Sequence, residues 1–149
     1  MDMSTSLKFC SFNCKGFKYR NFDYIKKLFG SVDVILLQEH WLYEFESNKF
    51  HEILPDCQVI SKSGMKNDCV NIGRPYGGVA ILWKRSNSIK VESIATSSDR
   101  LCAAKITNNI SSAIIFNVYM PCNIDGDTND EFFLTYFVKL LLYAILIVT

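Results

Sequence analysis

The chain has 149 residues, of which 49% are hydrophobic, and its 16 basic and 15 acidic residues leave a formal net charge of +1. This length and apolar content suffice for a single domain with a substantial core, predicted over residues 1–149. The nearly balanced charge excludes a global attraction to nucleic acid, so any contact with DNA or RNA requires a local basic patch.

The six cysteines are predicted to remain reduced thiols. No two of them form a Cys-x-x-Cys pair, and no histidines stand at zinc-ligand spacing from them. The polar amino terminus lacks the basic and apolar regions of a signal peptide, which indicates an intracellular protein, nuclear or cytoplasmic.

Two strands separated by a helix are predicted in the first forty residues. The segment from Leu7 to Phe12 alternates bulky and small side chains and ends at Asn13, which is typical of a strand. The helix that follows has Asn21 as its N-cap and Gly30 at its end. The apolar run from Val34 to Leu37 then has the length and composition of a central parallel strand.

Glu39 follows this second strand and is a candidate metal ligand. A right-handed crossover makes the two strands parallel and brings Asn13 and Glu39 to the same edge of the sheet. Polar groups at the carboxyl ends of such strands lie where open α/β sheets bind their ligands. The alternative is that Glu39 only caps a buried strand at the solvent boundary.

The rest of the chain up to residue 119 is predicted to be rich in strands. A helical stretch ends near Leu54, a polar surface loop runs from Ser63 to Pro75, and Gly77-Gly78 permits a close backbone approach at a strand entry. Strands are predicted over Gln58–Ser61, Val79–Trp83, Ile89–Ala95, Leu101–Ile106 and Ala113–Tyr119, and the later ones are expected to pair antiparallel.

Basic and aromatic side chains offer further candidates for nucleic-acid contact. Lys62, Lys66 and Arg74, which belong to the polar loop, either touch a phosphate backbone or are only solvated. Trp41 and Trp83 either stack on bases or belong to the core, and the core is the simpler account.

The carboxyl-terminal part holds an aspartate-rich loop and an apolar segment. Asp125 and Asp127 imitate the start of a calcium loop, but Asp130 stands where glycine is needed, so roles in a turn and a helix start are predicted instead. The apolar segment from Phe132 to Val148 is shorter than the roughly 20 residues that span a bilayer, and it contains Lys139. It is predicted to pack on the sheet rather than to anchor the chain in a membrane.

Four sequence blocks together resemble the endonuclease/exonuclease/phosphatase superfamily. In the order and spacing of that family they are Phe9-Cys10-Ser11-Phe12-Asn13, Ile35-Leu36-Leu37-Gln38-Glu39, Gly77-Gly78-Val79-Ala80-Ile81-Leu82 and Asn117-Val118-Tyr119-Met120-Pro121. The versions Gln38-Glu39-His40-Trp41-Leu42 and Gly73-Arg74-Pro75-Tyr76-Gly77-Gly78 are most similar to the endonuclease domain of non-LTR (LINE-type) retrotransposons.

The resemblance implies a fold, a reaction and a set of residues. The fold is a four-layer α/β sandwich of the DNase I type, here incomplete at the carboxyl end, and the reaction is magnesium-dependent cleavage of phosphodiester bonds in DNA. Glu39 carries over as the metal ligand, Asn13 as a partner that binds the metal or orients the phosphate, and Tyr119 as a phosphate-contacting phenol. No role as a catalytic base is implied for His40.

The chain also departs from the family pattern. It contains neither the central Gly-Asp-Phe-Asn block nor the Ser-Asp-His block that serves the attacking water, and its only histidines are His40 and His51. Lys15 stands where relatives often have an acidic or amide residue. The chain is therefore expected to match the first half to two-thirds of the domain and to have little or no activity alone, because a general acid or base typically contributes about 10² to 10⁴ fold. A non-catalytic remnant that binds nucleic acid and a small membrane-anchored protein remain as alternatives.

Overall fold

The structure is a computed structural model that describes residues 6–65, 73–85 and 88–120. The chain divides into two units, Met1–Tyr119 and Met120–Thr149. The predictions on Lys66, on the aspartate-rich loop and on the apolar segment 132–148 lie outside the described residues. Within the described part, no helix is both long enough and apolar enough to cross a membrane.

The helices and strands follow the predicted order. They are β1 (Phe9–Asn13), α1 (Tyr19–Ser31), β2 (Val34–Gln38), α2 (Asn48–Ile53), β3 (Cys57–Lys62), β4 (Val79–Lys84), β5 (Ile89–Ile94), β6 (Leu101–Asn108) and β7 (Ser112–Val118), with a short 3₁₀ turn at Glu44–Glu46. Each predicted strand is confirmed to within about two residues at either end, which is the usual uncertainty of element boundaries.

The strands form two sheets. In the first sheet the order is β1-β2-β4-β3, with β1 parallel to β2 and β4 antiparallel to both β2 and β3. The second sheet is the antiparallel meander β5-β6-β7. The predicted α/β class is confirmed, and two sheets with helices packed on the first correspond to an incomplete α/β sandwich.

Two apolar clusters cover the two faces of the first sheet. The first cluster joins the helices to the sheet and includes Ile25, Phe29, Ile35, Leu37 and Phe50. The second cluster lies between the sheets and includes Val34, Val79, Ile81, Cys102, Ala104 and Ile106. Successive residues of β2 therefore enter different clusters, which explains why its sequence is a continuous apolar run rather than an alternating one.

The predicted start of α1 is wrong, whereas its predicted end is confirmed to within one residue. The helix begins at Tyr19 with Lys18 in the N-cap position, and it continues through Gly30 until Val32 adopts an extended conformation. Asn21 does not cap the helix, because its side-chain amide donates to two carbonyl groups of the preceding loop. The local sequence favoured Asn21 as an acceptor, whereas tertiary contacts use it as a donor.

The cysteines in the described residues are unpaired thiols, as predicted. Cys10 is partly exposed, while Cys14, Cys57 and Cys102 are buried. Burial raises the pKa of Cys14 and Cys102 to about 12 and that of Cys57 to about 11. Because the thiolate is the reactive form, these buried cysteines are core residues without nucleophilic character.

Candidate active site

The carboxyl ends of β1 and β2 lie side by side at one edge of the first sheet. In their parallel register Asn13 is paired with Gln38, so the next residue, Glu39, leaves the sheet beside Asn13. The expectation that Asn13 and Glu39 share one edge is confirmed by this register. Tyr119 follows the last residue of β7 in the other sheet, and its hydroxyl donates a hydrogen bond to Oε1 of Glu39. The structure thus brings all three predicted site residues to one end of the two sheets, while their chemical roles stay predictions.

The Glu39 carboxylate is half-buried and held at both oxygens. While Oε1 accepts the Tyr119 hydroxyl, Oε2 accepts the indole Nε1–H of Trp41 at 2.7 Å. Trp41 is only 8% exposed, so the prediction that it is a core residue is confirmed, although its indole N–H also contributes to the site. Two neutral donors therefore fix the direction in which the carboxylate points.

Backbone hydrogen bonds join the loop after β1 to the loop after β2. Gly16 N donates to Glu39 O at 2.7 Å, Phe17 N donates to His40 O at 2.8 Å, and Trp41 N donates to Gly77 O at 3.1 Å. These bonds continue the pairing of β2 with its neighbours β1 and β4 beyond the ends of the strands. They replace the regular hydrogen bonds of the sheet where Glu39 turns away from it. The position of Glu39 is therefore set by backbone contacts on both of its sides.

His40 is a structural residue and not a base. It is 2% exposed, its Nε2 faces the Lys62 carbonyl at 3.0 Å, and its Nδ1 accepts the backbone N–H of Leu42 at 3.0 Å. This pattern fits the neutral ring with the proton on Nε2. Burial lowers the pKa of His40 to about 4, so the ring stays neutral at physiological pH. With both nitrogens engaged, His40 has no free acceptor for a reacting water.

The glycine pair predicted to permit a close backbone approach does so at His40. Gly78 has φ +88, and a Cβ atom placed there would lie 2.4 Å from the His40 ring. Gly77 has φ +67 and lies against Gly64. The pair therefore lets the chain entering β4 pass directly over the buried imidazole.

Asn117 connects the two sheets directly beneath the site. Its side chain is 1% exposed, and its Nδ2 donates to the carbonyl groups of Leu37 at 2.7 Å and Ala80 at 2.8 Å. Its Oδ1 accepts Nε2 of Gln38 at 2.6 Å. Sequence reasoning included Asn117 only as part of a block and assigned it no role. A polar residue within the apolar run of β7 was the signal that could have revealed it.

Three basic side chains lie on the two aromatic rings that donate hydrogen bonds to the Glu39 carboxylate. The Lys18 ammonium lies 4.8 Å from the Trp41 ring centroid, the Arg74 guanidinium lies 4.9 Å from the same centroid, and the Arg100 guanidinium lies 5.5 Å from the Tyr119 ring centroid. A chain with a net charge of +1 thus has a local cationic rim at one end. Arg74 was a sequence candidate for phosphate contact, whereas Lys18 and Arg100 were missed because nothing local marks them.

Lys62 takes a different position from the one predicted. It ends β3 rather than belonging to the polar loop, and its ammonium donates to Thr96 O at 2.5 Å, Thr96 Oγ1 at 2.5 Å and Ser98 O at 2.9 Å. All three of its N–H donors are satisfied within the protein. Lys62 therefore fastens the loop that precedes β6 instead of facing a ligand.

The donor set fits a hard cation such as magnesium. The described residues contain no group of three or more His, Cys, Asp or Glu side chains, which argues against a zinc-type cage in this part of the chain. Magnesium, by contrast, needs only one or two carboxylates and keeps water and phosphate in its other positions. Because each oxygen of Glu39 accepts only one of these two hydrogen bonds, the carboxylate has further lone pairs for a cation. The Asn13 Oδ1 atom, which accepts the Lys15 N–H at 3.1 Å, is a second hard oxygen at the same edge.

Comparison with known proteins identifies the family. The sequence pattern of the Endonuclease/Exonuclease/phosphatase family matches residues 10–145. The chain belongs to this family. Members of the Endonuclease/Exonuclease/phosphatase family are nucleases and phosphatases, and the family is in general metal-dependent. A search of curated proteins finds no match.

Two solved structures are similar to the chain. An AP endonuclease, LMAP, from Leishmania major is 16% identical, with a TM-score of 0.54, over 81% of this chain and 42% of that one. A 3′ phosphatase, NExo, from Neisseria, bound to a product DNA hairpin, is 18% identical, with a TM-score of 0.46, over 73% of this chain and 40% of that one. The chain thus spans about two fifths of the length of these structures. At this identity the likeness to LMAP supports the fold alone.

Proposed function

We propose that this chain carries the metal-binding and phosphate-contacting part of a magnesium-dependent DNA endonuclease of the non-LTR retrotransposon type. The observation that carries the proposal is the contact between Glu39 and Tyr119. These residues are 80 positions apart, come from the ends of strands in different sheets, and meet beside Asn13. A carboxylate, a phenol and an amide oxygen at one edge are the groups that a cation and a phosphate require.

Each residue of the proposed site has a role that follows from its chemistry. Glu39 would hold the cation through a carboxylate whose direction the Trp41 indole N–H fixes, and Asn13 would add a second oxygen. When bound, magnesium neutralises charge on the phosphate and on the leaving oxygen. The Tyr119 hydroxyl, which donates to Glu39 in the structure, is placed to donate to a phosphate oxygen instead. The Arg100 guanidinium on the Tyr119 ring adds positive charge beside that phosphate.

The assignment to the retrotransposon type rests on two sequence versions. Gln38-Glu39-His40-Trp41-Leu42 and Gly73-Arg74-Pro75-Tyr76-Gly77-Gly78 are the segments that resemble that type most. The contact of the Arg74 guanidinium with the Trp41 ring joins these two segments at the site. A nuclease that opens a target strand needs a basic groove for the phosphate backbone, and the cationic rim supports DNA as the substrate.

We also propose that this chain alone has little or no nuclease activity. Its 149 residues contain neither the Gly-Asp-Phe-Asn nor the Ser-Asp-His block. His40 has both nitrogens engaged, and His51 belongs to α2, which packs on the opposite face of the first sheet from β7. A magnesium site without a general base lacks a contribution of about 10² to 10⁴ fold.

A nicking assay tests the activity. The purified chain is incubated with supercoiled plasmid in magnesium or in EDTA, with Glu39→Ala as the matched variant. We expect nicking no faster than that of the variant. Robust magnesium-dependent nicking that the variant loses would show that the chain is a complete catalyst and that the proposed inactivity is wrong.

Metal binding tests the site itself, independently of activity. Titration with Mn²⁺ should broaden the NMR signals of the backbone amides near Asn13 and Glu39 in the wild-type chain. Glu39→Ala should lose this broadening, whereas Glu52→Ala, which removes a carboxylate from the exposed side of α2, should keep it. Equal broadening in wild type and Glu39→Ala would contradict the proposed metal site.

A non-catalytic protein that binds nucleic acid is the second candidate function. The cationic rim at Trp41 and Tyr119 favours it, because phosphate contact needs no attacking water. Salt-dependent binding of a DNA duplex without nicking would fit both the endonuclease part and the non-catalytic binding protein. If the wild-type chain also failed to bind Mn²⁺, only the non-catalytic binding protein would fit. The membrane-anchored alternative depends on segment 132–148, and detergent fractionation tests it.

A further inference from the structure

Two cations share one aromatic ring beside the proposed metal site. The Lys18 ammonium and the Arg74 guanidinium both lie within 5 Å of the Trp41 ring centroid. They are therefore separated by no more than about one Debye length, roughly 10 Å at 0.1 M salt, and they repel each other. Both side chains are exposed, and no ion pair with an acidic residue forms at either one within the described residues. A bound anion would relieve this repulsion.

The platform under the two cations is rigid. Trp41 is 8% exposed, its Nε1–H is bound to Glu39, and its backbone N–H donates to Gly77 O. Gly16, at φ +100, brings the backbone so close to the ring that a Cβ atom there would lie 2.6 Å from Cε3 of Trp41. A fixed ring that orders two long basic side chains reduces the entropy lost when they bind a ligand.

The two cations differ in what they offer an anion. A guanidinium presents a planar fork of N–H donors that matches two oxygens of a phosphate, while an ammonium acts as a point charge. The indole bond from Trp41 to the Glu39 carboxylate places the pair directly beside the metal ligand. A phosphate bound by the two cations would therefore lie close to the phosphate that is proposed to bind at Glu39 and Tyr119. It would be a different phosphate of the strand.

We propose that Lys18 and Arg74, held on the Trp41 ring, bind together one phosphate of a nucleic-acid strand adjacent to the phosphate at the Glu39 site. This inference rests on the proposed function, since it assumes that a nucleic-acid strand occupies this end of the sheets. The pair sets the register of the strand relative to Glu39, and it does so without magnesium.

Salt-dependent binding tests the proposal. The affinity for a short labelled DNA duplex is measured by fluorescence anisotropy in EDTA over a range of salt concentrations. Lys18→Gln and Arg74→Gln should each weaken binding, and the double variant should reduce the slope of log affinity against log salt by only about one, because a single phosphate contact is lost. A reduction by about two in the double variant would mean that the two cations contact separate phosphates and would contradict the shared site. Arg74→Lys should keep the slope but bind more weakly, because the charge remains while the planar fork is lost.

Lys27→Gln is the matched control, because Lys27 is exposed on α1, the helix that begins directly after Lys18, and undergoes the same change of charge. Its slope should equal that of the wild type, and thermal unfolding should show that all variants are folded. If the wild type binds with a steep slope and the Lys18 and Arg74 variants have the same slope and affinity as Lys27→Gln, the proposal of a shared phosphate site is wrong. The proposal of nucleic-acid binding would still stand. If the folded wild type does not bind the duplex at any salt concentration, both the proposed function and this inference are overturned.

Discussion

Backbone strain is concentrated around the carboxylate of Glu39. Within the described residues, the non-glycine residues with positive φ are Lys15 at 47°, Glu39 at 56° and Trp41 at 59°, all in the two loops after β1 and β2. Such conformations cost of the order of 1 kcal/mol or more each and persist where surrounding contacts determine them. The turn at Glu39 interrupts the alternation of side-chain direction along β2. It lets the Glu39 carboxylate contact both Trp41 and Tyr119. The backbone strain is thus the energetic cost of directing the Glu39 carboxylate toward these two side chains.

Gly78 is required by its contact with the His40 ring, and its substitution is predicted to destabilise the protein. Gly78→Ala forces an alanine to φ +88 and places its Cβ 2.4 Å from the His40 ring. We expect a loss of roughly 3 kcal/mol in the free energy of unfolding, from the backbone conformation and the overpacking together. Urea unfolding at pH 7 measures this change.

Gly30→Ala is the matched control for that experiment. Gly30 lies inside α1, and a Cβ atom placed on it would meet no other atom within 4 Å, so the position accepts a methyl group freely. Alanine there should stabilise the protein by about 0.5 to 1 kcal/mol. Equal effects of the two substitutions would mean that His40 does not press against the chain at Gly78.

The glycine pair also shows how far single residues can be predicted. The doublet Gly77-Gly78 predicts a close approach because only glycine tolerates both the conformation and the contact. The partner, His40, was not predictable, because it comes from another loop and is brought there by the antiparallel pairing of β2 and β4. The sequence thus indicates that space is needed, whereas the fold determines which side chain occupies it.

At the scale of elements, the side chain of Asn117 links β7 to β2 and β4. It donates to one carbonyl group in each of these two strands and accepts from Gln38. The same strand ends next to Tyr119, so the link fixes the distance from the second sheet to Glu39. Hydrogen bonds between buried polar groups specify a unique arrangement of the sheets more sharply than apolar contacts do.

Removing this link is predicted to loosen the contact between the sheets. Asn117→Ala leaves two buried carbonyl groups without their donor, and we expect a loss of roughly 3 kcal/mol in the free energy of unfolding. Tyr119 should also lose its fixed distance from Glu39, which a change in its NMR ring signals would reveal. Asn109→Ala, at an exposed position in the β6–β7 turn, should change neither quantity. An Asn117 variant as stable as the Asn109 variant would contradict the proposed role.

Strands were more predictable than the site they carry. The apolar run of β2 and the alternation of β5 are local patterns, and the crossover rule then places Asn13 beside Glu39 without further information. Lys18 and Arg100 were not predictable as site residues, since each reaches the site through an aromatic ring contributed by a distant segment. The helix start was missed for the same reason, because a loop contact at Asn21 overrode its capping preference.

At the scale of the whole molecule, charge is distributed unevenly despite its near balance. A net charge of +1 gives no long-range attraction to nucleic acid, so the proposed binding of DNA requires the cationic rim on Trp41 and Tyr119. An attraction of this kind is short in range and strongly screened by salt. Binding of DNA by the chain is therefore expected to weaken steeply as salt is raised, even though the overall charge is small.

The stability of the whole molecule is predicted to fall in mild acid because of His40. Burial lowers its pKa to about 4 in the folded chain, against about 6.5 in the unfolded chain. Below pH 6.5 the unfolded state binds the proton first, so the free energy of unfolding decreases by about 1.4 kcal/mol per pH unit down to pH 4, roughly 3 kcal/mol in all. Urea unfolding at pH 7, 6 and 5 in EDTA measures the slope. His51→Gln should keep it, whereas His40→Gln should be less stable at pH 7 but nearly independent of pH over this range. A slope unchanged by His40→Gln would assign the acid sensitivity to another group.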